Sequence, residues 1–255
     1  GRPLMTVDEL KSMPKGLNLP FIDNKIFFYE WFSYIITVGW IIGITNAINL
    51  IDGLDGLSSG ITLISCVSLL IIFLLTPSSP LISILLITAL AGSIVGFLPF
   101  NFSPAKTFIG DVGSNFLGFS LAVISILGVA KTYTALVLIA PIIVLGLPIF
   151  DTIFAIIRRI IKGKSIKAVF KADKGHLHHR LMKRGYTQKQ AVLILYGLTA
   201  TLGMFAIILL ESGIWKALSF ALLVIAIIAI GYKDIFRVKQ DDIETIDETH
   251  IRTDK

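Results

Sequence analysis

The chain has 255 residues, 55% of them hydrophobic and only 16% charged, with a mean hydropathy of +0.83. Soluble domains are about a quarter charged, so a water-soluble globule is excluded and an all-α polytopic membrane protein is expected. The net charge of +6 is unevenly spread, and nucleic acid is not among the expected partners.

Gly1 to Lys15 carries Arg2, Asp8, Glu9, Lys11 and Lys15 without an apolar core, so it does not read as a secretory signal. It reads instead as cut from something longer. Phe21 to Glu30 is aromatic and mixed, with a turn signal at Asp23-Asn24, and suggests a short hairpin or interfacial segment. Spans follow. A helix crossing a bilayer needs about 20 apolar residues because its backbone must satisfy itself. Trp31 to Ile48, Leu57 to Thr76, Leu81 to Phe100, Val112 to Ala130, Thr134 to Phe150 and Ala191 to Leu210 carry no charge. Ile214 to Ile230 carries only Lys216, near an end where its amine can reach the interface, so seven spans are predicted. The lone Cys66 lies within one of them and reads as a small buried hydrophobe.

The connections set the orientation. Ser78-Ser79-Pro80, Lys131-Thr132-Tyr133 and Glu211-Ser212-Gly213 are tight and nearly uncharged, whereas the stretch from Arg158 to Lys189 is crowded with Arg and Lys against the single acid Asp173. Excess positive charge marks the cytoplasmic side. Counting spans from that loop places 46–57 and 100–114 on the cytoplasmic face with 158–189, and puts 1–30 outside. The predicted organisation is an extracytoplasmic segment 1–30, a transmembrane catalytic domain 31–232 and a charged cytoplasmic tail 233–255. All the polar stretches fall on one face, which argues that they form one site.

The first stretch is Asn46-Ala-Ile-Asn49-Leu-Ile-Asp52-Gly-Leu-Asp55-Gly56. Two amides and two carboxylates at a membrane boundary are costly unless they bind something. Hard oxygens of this kind suit Mg²⁺, with Mn²⁺ as the alternative ion. The competing reading is a polar helix end whose side chains cap backbone groups. The second stretch runs from Asn101 to Asn115, where Gly110 and Gly113 bracket Asp111. Asp111 is a candidate metal ligand, Phe108 a candidate stacking partner for a base, and Asn101 a candidate reader of its edge. An acid placed to meet a helix dipole is the plain alternative for Asp111, and an interface anchor is that for Phe108. In the third, His176-Leu-His178-His179-Arg180, three of the chain's four histidines sit within four positions. Imidazole and guanidinium donors fit a pyrophosphate. No cysteine or acid set completes a zinc site there, and contact with anionic headgroups of membrane lipid is the alternative. Asp151 precedes Arg158-Arg159 by a turn or two and reads as their ion-pair partner at the interface.

Asn46 to Leu57, Phe108 to Ser114 and His176 to Arg180 closely resemble the polyprenyl-phosphate N-acetylhexosamine-1-phosphate transferases, glycosyltransferase family 4. The likeness runs from about Phe32 to about Ile230. It implies Mg²⁺-dependent transfer of a phospho-sugar from a UDP-N-acetylhexosamine to undecaprenyl phosphate at the bacterial cytoplasmic membrane. UMP would be released and a cell-envelope polysaccharide begun. By the resemblance, Asp111 with Asn49 holds metal, Asp52, Asp55 and Asp111 are catalytic, and Asn46, Asp55, Asn101 and Phe108 meet the nucleotide. His176, His178, His179 and Arg180 meet the phosphates. The His-Leu-His-His-Arg pattern after Ala172-Asp173-Lys174 is closer to the N-acetylglucosamine-1-phosphate branch than to the muramoyl-pentapeptide branch. A homodimer is a further expectation. The family's upstream Asp-Asp pair has no counterpart before Asn46, and seven spans stand against the family's ten or eleven. The chain therefore reads as the C-terminal two-thirds of such an enzyme. A nucleotide-binding remnant and an ion-coupled transporter stay open as alternatives.

Overall fold

The computed structural model describes residues 16–17, 26–27, 30–129, 135–163 and 175–225. The rest of the predicted extracytoplasmic segment, the basic loop over 164–174 and the tail 233–255 lie outside these residues. Gly16–Leu17 (β1) and Ile26–Phe27 (β2) pair antiparallel, Gly16 opposite Phe27. That is a hairpin, and its first strand starts before the predicted segment.

The other described elements are helices, beginning with α1 (Glu30–Ile51), α2 (Leu57–Leu75), α3 (Leu81–Asn101), α4 (Gly110–Val129), α5 (Ala135–Val144), α6 (Gly146–Gly163), α7 (Leu177–Lys183) and α8 (Gln188–Ser212). Five of these, α1 to α4 and α8, are long and apolar enough to cross a bilayer. Their stops and starts follow local chemistry. Gly56 adopts φ 75° to turn into α2, a conformation cheap only for glycine, and Pro80 sets the extended entry to α3.

The span predicted over Thr134 to Phe150 is broken. Its two arms, Val137–Val144 and Gly146–Ile161, meet at 67°. Pro141, Gly146 and Pro148 crowd the junction, and each proline removes a backbone donor that a straight helix would use. With the bent pair counted as one span there are six candidates among the described residues. Beyond the break α6 is amphipathic: Asp151 and Ala155 are buried while Phe150, Phe154 and Ile161 are exposed. The seventh predicted span begins as α9 (Ile214–Ile225), and its continuation to Ile230 lies outside the described residues. The chain divides into two compact units, Gly1–Glu211 and Ser212–Lys255, with α9 in the second.

Within the first unit α1 lies against α4, and α2 against α3. Small residues make the approaches possible, as is usual where lipid supplies no hydrophobic drive between helices. A Cβ on Gly118 of α4 would lie 2.8 Å from the Cα of Thr45. Trp40 donates to Ser125 Oγ at 3.0 Å across the α1–α4 contact. Ile44, Ile48, Leu69, Phe73, Leu121 and Val144 belong to the main core. A second cluster, Ile51, Leu57, Ile61, Leu147, Val192 and Leu195, ties together the helix ends from which the polar stretches leave.

Candidate active site

Three polar stretches meet at that end. The turn from α1 to α2 is 3₁₀-like: Asp52 N–H donates to Asn49 O at 3.2 Å and Gly53 N–H to Ile51 O at 2.8 Å. Its acids therefore leave the helix rather than continue it. Asp52 is half-buried and accepts from Ser58 Oγ at 2.6 Å. Burial raises its pKa, the Ser58 hydrogen bond opposes this, and the charge of Asp111 adds to the rise. Asp55 Oδ2 accepts the Ala105 N–H at 3.1 Å, joining this turn to the α3–α4 loop. Tyr196 of α8 donates to the Gly56 carbonyl and lies where a Gly60 side chain would be.

In the α3–α4 loop, Asn101 is buried and engaged at both ends of its amide. It accepts from Ser59 Oγ at 2.6 Å and donates to Thr107 O at 3.0 Å. In this arrangement it braces the loop. Phe108 is 75% exposed, beside an apolar groove of about 300 Å³ between α3 and α4 that includes Phe97, Ile109 and Phe116. Asp111, exposed in the first turn of α4, lies 3.4 Å from Asn49 Nδ2, and Asn49 also donates to Ser114 Oγ at 2.9 Å. Asn46, one turn back on α1, is exposed and bonds its own Ile42 carbonyl at 2.7 Å.

The histidines come from α7 and its entry. His178 is 2% exposed, and neither of its ring nitrogens has a hydrogen-bond partner. Its ring occupies the space a Cβ on Gly53 would need, so Gly53 is the position at which the third stretch docks on the first. Burial, then the neighbouring His179, lowers the His178 pKa to about 4, and the ring is neutral at physiological pH. His179 sits with its centroid 4.2 Å from that of His178. Arg180 is exposed, its guanidinium 5.3 Å from the Phe154 ring centroid.

Asp151 differs from the sequence expectation. Its partners are His176 Nδ1, at 2.9 Å from Oδ2, and the Leu177 N–H, at 2.8 Å from Oδ1. Arg158 instead donates to the Gly175 carbonyl at 2.6 Å and lies 5.5 Å from the Phe154 ring centroid. Its place one turn into α6, rather than after a span, puts Asp151 on the buried face, out of register with the interface.

Sequence reasoning also missed Ser58, Ser59, Ser114 and Tyr196, which hold the acids and amides in place. Ser58-Ser59 and Ser114 lie within or beside the motifs and were findable by position. Tyr196 is far along the chain, and nothing local marks it.

Among the described residues no three His, Cys, Asp or Glu side chains gather as a metal cage. Asp52 and Asp111 are near enough to repel, and no basic residue among the described ones pairs with either. That donor set fits a hard divalent cation taking few protein oxygens and completing its shell with water and substrate phosphates, the habit of Mg²⁺. Asp111 and Asn49, which lie side by side, are the residues that would hold such an ion.

The arrangement defines a multi-pass membrane protein with acidic, amide and histidine groups clustered at one end of its helices. Residues 6–129 match the model of Glycosyl transferase family 4. A relative from Bacillus subtilis (strain 168), named Probable undecaprenyl-phosphate N-acetylglucosaminyl 1-phosphate transferase, is 46% identical over 201 residues, covering 79% of this chain and 54% of its own length. The Decaprenyl-phosphate N-acetylglucosaminephosphotransferase of Mycobacterium leprae (strain TN) is 37% identical, covering 64% of this chain and 45% of its own. The Phospho-N-acetylmuramoyl-pentapeptide-transferase of Limosilactobacillus reuteri (strain DSM 20016) is 45% identical over 100 residues, 38% of this chain and 31% of its own. The chain is thus similar to glycosyl transferase family 4 over just under half of its length by the family model, and to these transferases over more of it. It spans about half the length of the first two relatives.

Proposed function

We propose that the chain takes part in transfer of N-acetylglucosamine-1-phosphate from UDP-N-acetylglucosamine to undecaprenyl phosphate at the cytoplasmic face of a bacterial inner membrane. An oxygen of the lipid phosphate forms a bond to the sugar-linked phosphorus, the bond to the UMP oxygen breaks, and UMP leaves. The product opens a cell-envelope polysaccharide.

The observation that carries this reading is the docking of His178 on Gly53 beside Asp52, with Asp111 against Asn49. It brings histidines, acids and an amide from three distant stretches to one end of the helices. Mg²⁺, when bound, neutralises charge on the leaving phosphate and orients it. Asp111 and Asn49 hold it, and Asp52, kept in place by Ser58, supplies the adjacent acid. His176, His178, His179 and Arg180 donate to phosphate oxygens, and the Asp55 turn fixes the loop that presents Phe108 to the uracil. The names of the relatives favour N-acetylglucosamine and a polyprenyl acceptor. A transporter would place its carboxylates near mid-span in broken helices. Here Asp52 and Asp55 flank helix ends and Asp111 lies in a first turn.

The test is UMP release by the purified chain given UDP-N-acetylglucosamine and undecaprenyl phosphate. Release with Mg²⁺ and none with a chelator is expected. Nucleotide binding without release leaves the binding reading alone, and neither binding nor release overturns both.

A further inference from the structure

We propose that Asp151 is a positioning residue that fixes the tautomer of His176, resting on the transferase reading above. Its environment accounts for the residue type. Asp151 and His176 are each 6% exposed at the side chain, and two groups converge on the carboxylate: His176 Nδ1 at Oδ2 and the Leu177 N–H at Oδ1. The amide is an obligate donor. A carboxylate accepts at both oxygens, so Nδ1 carries the proton and Nε2 is left for a ligand. Among the described residues Nε2 takes no partner. The same pair of contacts fixes where α7 starts, and the His176 ring lies parallel to that of His178, 7° apart in plane and 6.0 Å between centroids. Asp151 thus connects α6 to His176, the first of the histidines assigned to phosphate, without itself being assigned a substrate contact. A carboxylate behind a histidine also stabilises the imidazolium formed when Nε2 takes up a proton from solvent, and that Nε2–H is the donor to a phosphate oxygen.

An amide in place of the carboxylate has one oxygen to give. In Asp151→Asn the Leu177 N–H keeps that oxygen, and the new NH₂ faces Nδ1 and donates to it. The proton on His176 is then driven to Nε2. The fold contact survives and the tautomer inverts, which separates a structural role from a positioning one.

The experiment has two arms, both on the full chain in lipid nanodiscs. Ring ¹⁵N spectra without nucleotide, with His176 assigned by difference against His176→Gln, should show protonated Nδ1 in the wild type and protonated Nε2 in Asp151→Asn. The same tautomer in both proteins overturns the proposal. UMP-release kinetics should then show kcat lower by roughly 10- to 100-fold in Asp151→Asn, the range that losing such carboxylate partners of histidine commands elsewhere. The KM for the UDP-sugar and the melting temperature should stay close to wild type. An unchanged kcat with an inverted tautomer also overturns it. Inversion in a wild type that releases no UMP leaves the Asp151–His176 pairing standing and sinks the transferase reading instead.

Discussion

Single residues carry the chemistry, and three can be tested directly. Asp111 is exposed and its one described side-chain contact is the Asn49 amide, so Asp111→Asn should leave the melting temperature unchanged. It should abolish the Mg²⁺ dependence of UDP-sugar binding, read by titration calorimetry with and without the ion; intact dependence would take Asp111 out of the metal site. Phe108, 75% exposed, has little packing to lose. Phe108→Ala should weaken nucleotide affinity by about 1–3 kcal/mol if the ring stacks on uracil, and unaltered affinity would make it a groove or interface residue. His178 gives a pH signature. Its folded pKa of about 4 lies below the 6.5 of an ordinary imidazole, so the unfolded chain binds the proton first. The stability this site contributes is therefore complete above pH 6.5, falls as pH drops through the interval, and levels off below about 4. The shift amounts to up to roughly 3 kcal/mol. The melting temperature of His178→Gln should vary less with pH over that interval than that of the wild type.

At the scale of elements, the helices were legible and their interruptions only partly so. Uncharged apolar runs marked α1 to α4 and α8 because a bilayer-spanning helix must be apolar over its full length. The 67° break between Val137–Val144 and Gly146–Ile161 was not visible in the charge pattern, since both arms of the junction are apolar. Its signal was Pro141, Gly146 and Pro148, and that misreading of one span displaced Asp151 toward Arg158. The motif residues were legible because acids, amides and histidines are expensive at a membrane boundary. Their braces were less so: Ser59 and Ser114 are marked only by lying beside the motifs, Tyr196 by nothing local, and the tertiary contacts give all three their role. Gly53 shows what element packing demands. His178 of α7 fills the room of the missing side chain, so Gly53→Ala must displace the His178 ring from the α1–α2 turn. Overpacking of this kind costs about 1–3 kcal/mol. Gly53→Ala should lower the melting temperature and weaken nucleotide binding together, whereas a loss of binding at full stability would mean that Gly53 touches the ligand instead.

For the whole molecule, the argument from charge to orientation makes a prediction that the helix contacts alone do not. The α3–α4 loop and the α1–α2 turn are bonded to one another through Asp55 and Ala105, so they share a side. The α2–α3 connection at Ser78 and Ser79 is one span away from each. His178 at the start of α7 docks on Gly53, and the positive charge around that helix predicts that this side faces the cytoplasm. The native thiol does not interfere with labelling, because Cys66 is fully buried, while Lys106 and Ser78 are both exposed. Lys106→Cys should react with a membrane-impermeant maleimide only in inverted vesicles, and Ser78→Cys only in right-side-out ones. Labelling of both from one side would break the count of spans. Labelling of each from the opposite side would keep the fold and place the site outside the cell, where cytoplasmic UDP-sugars do not reach.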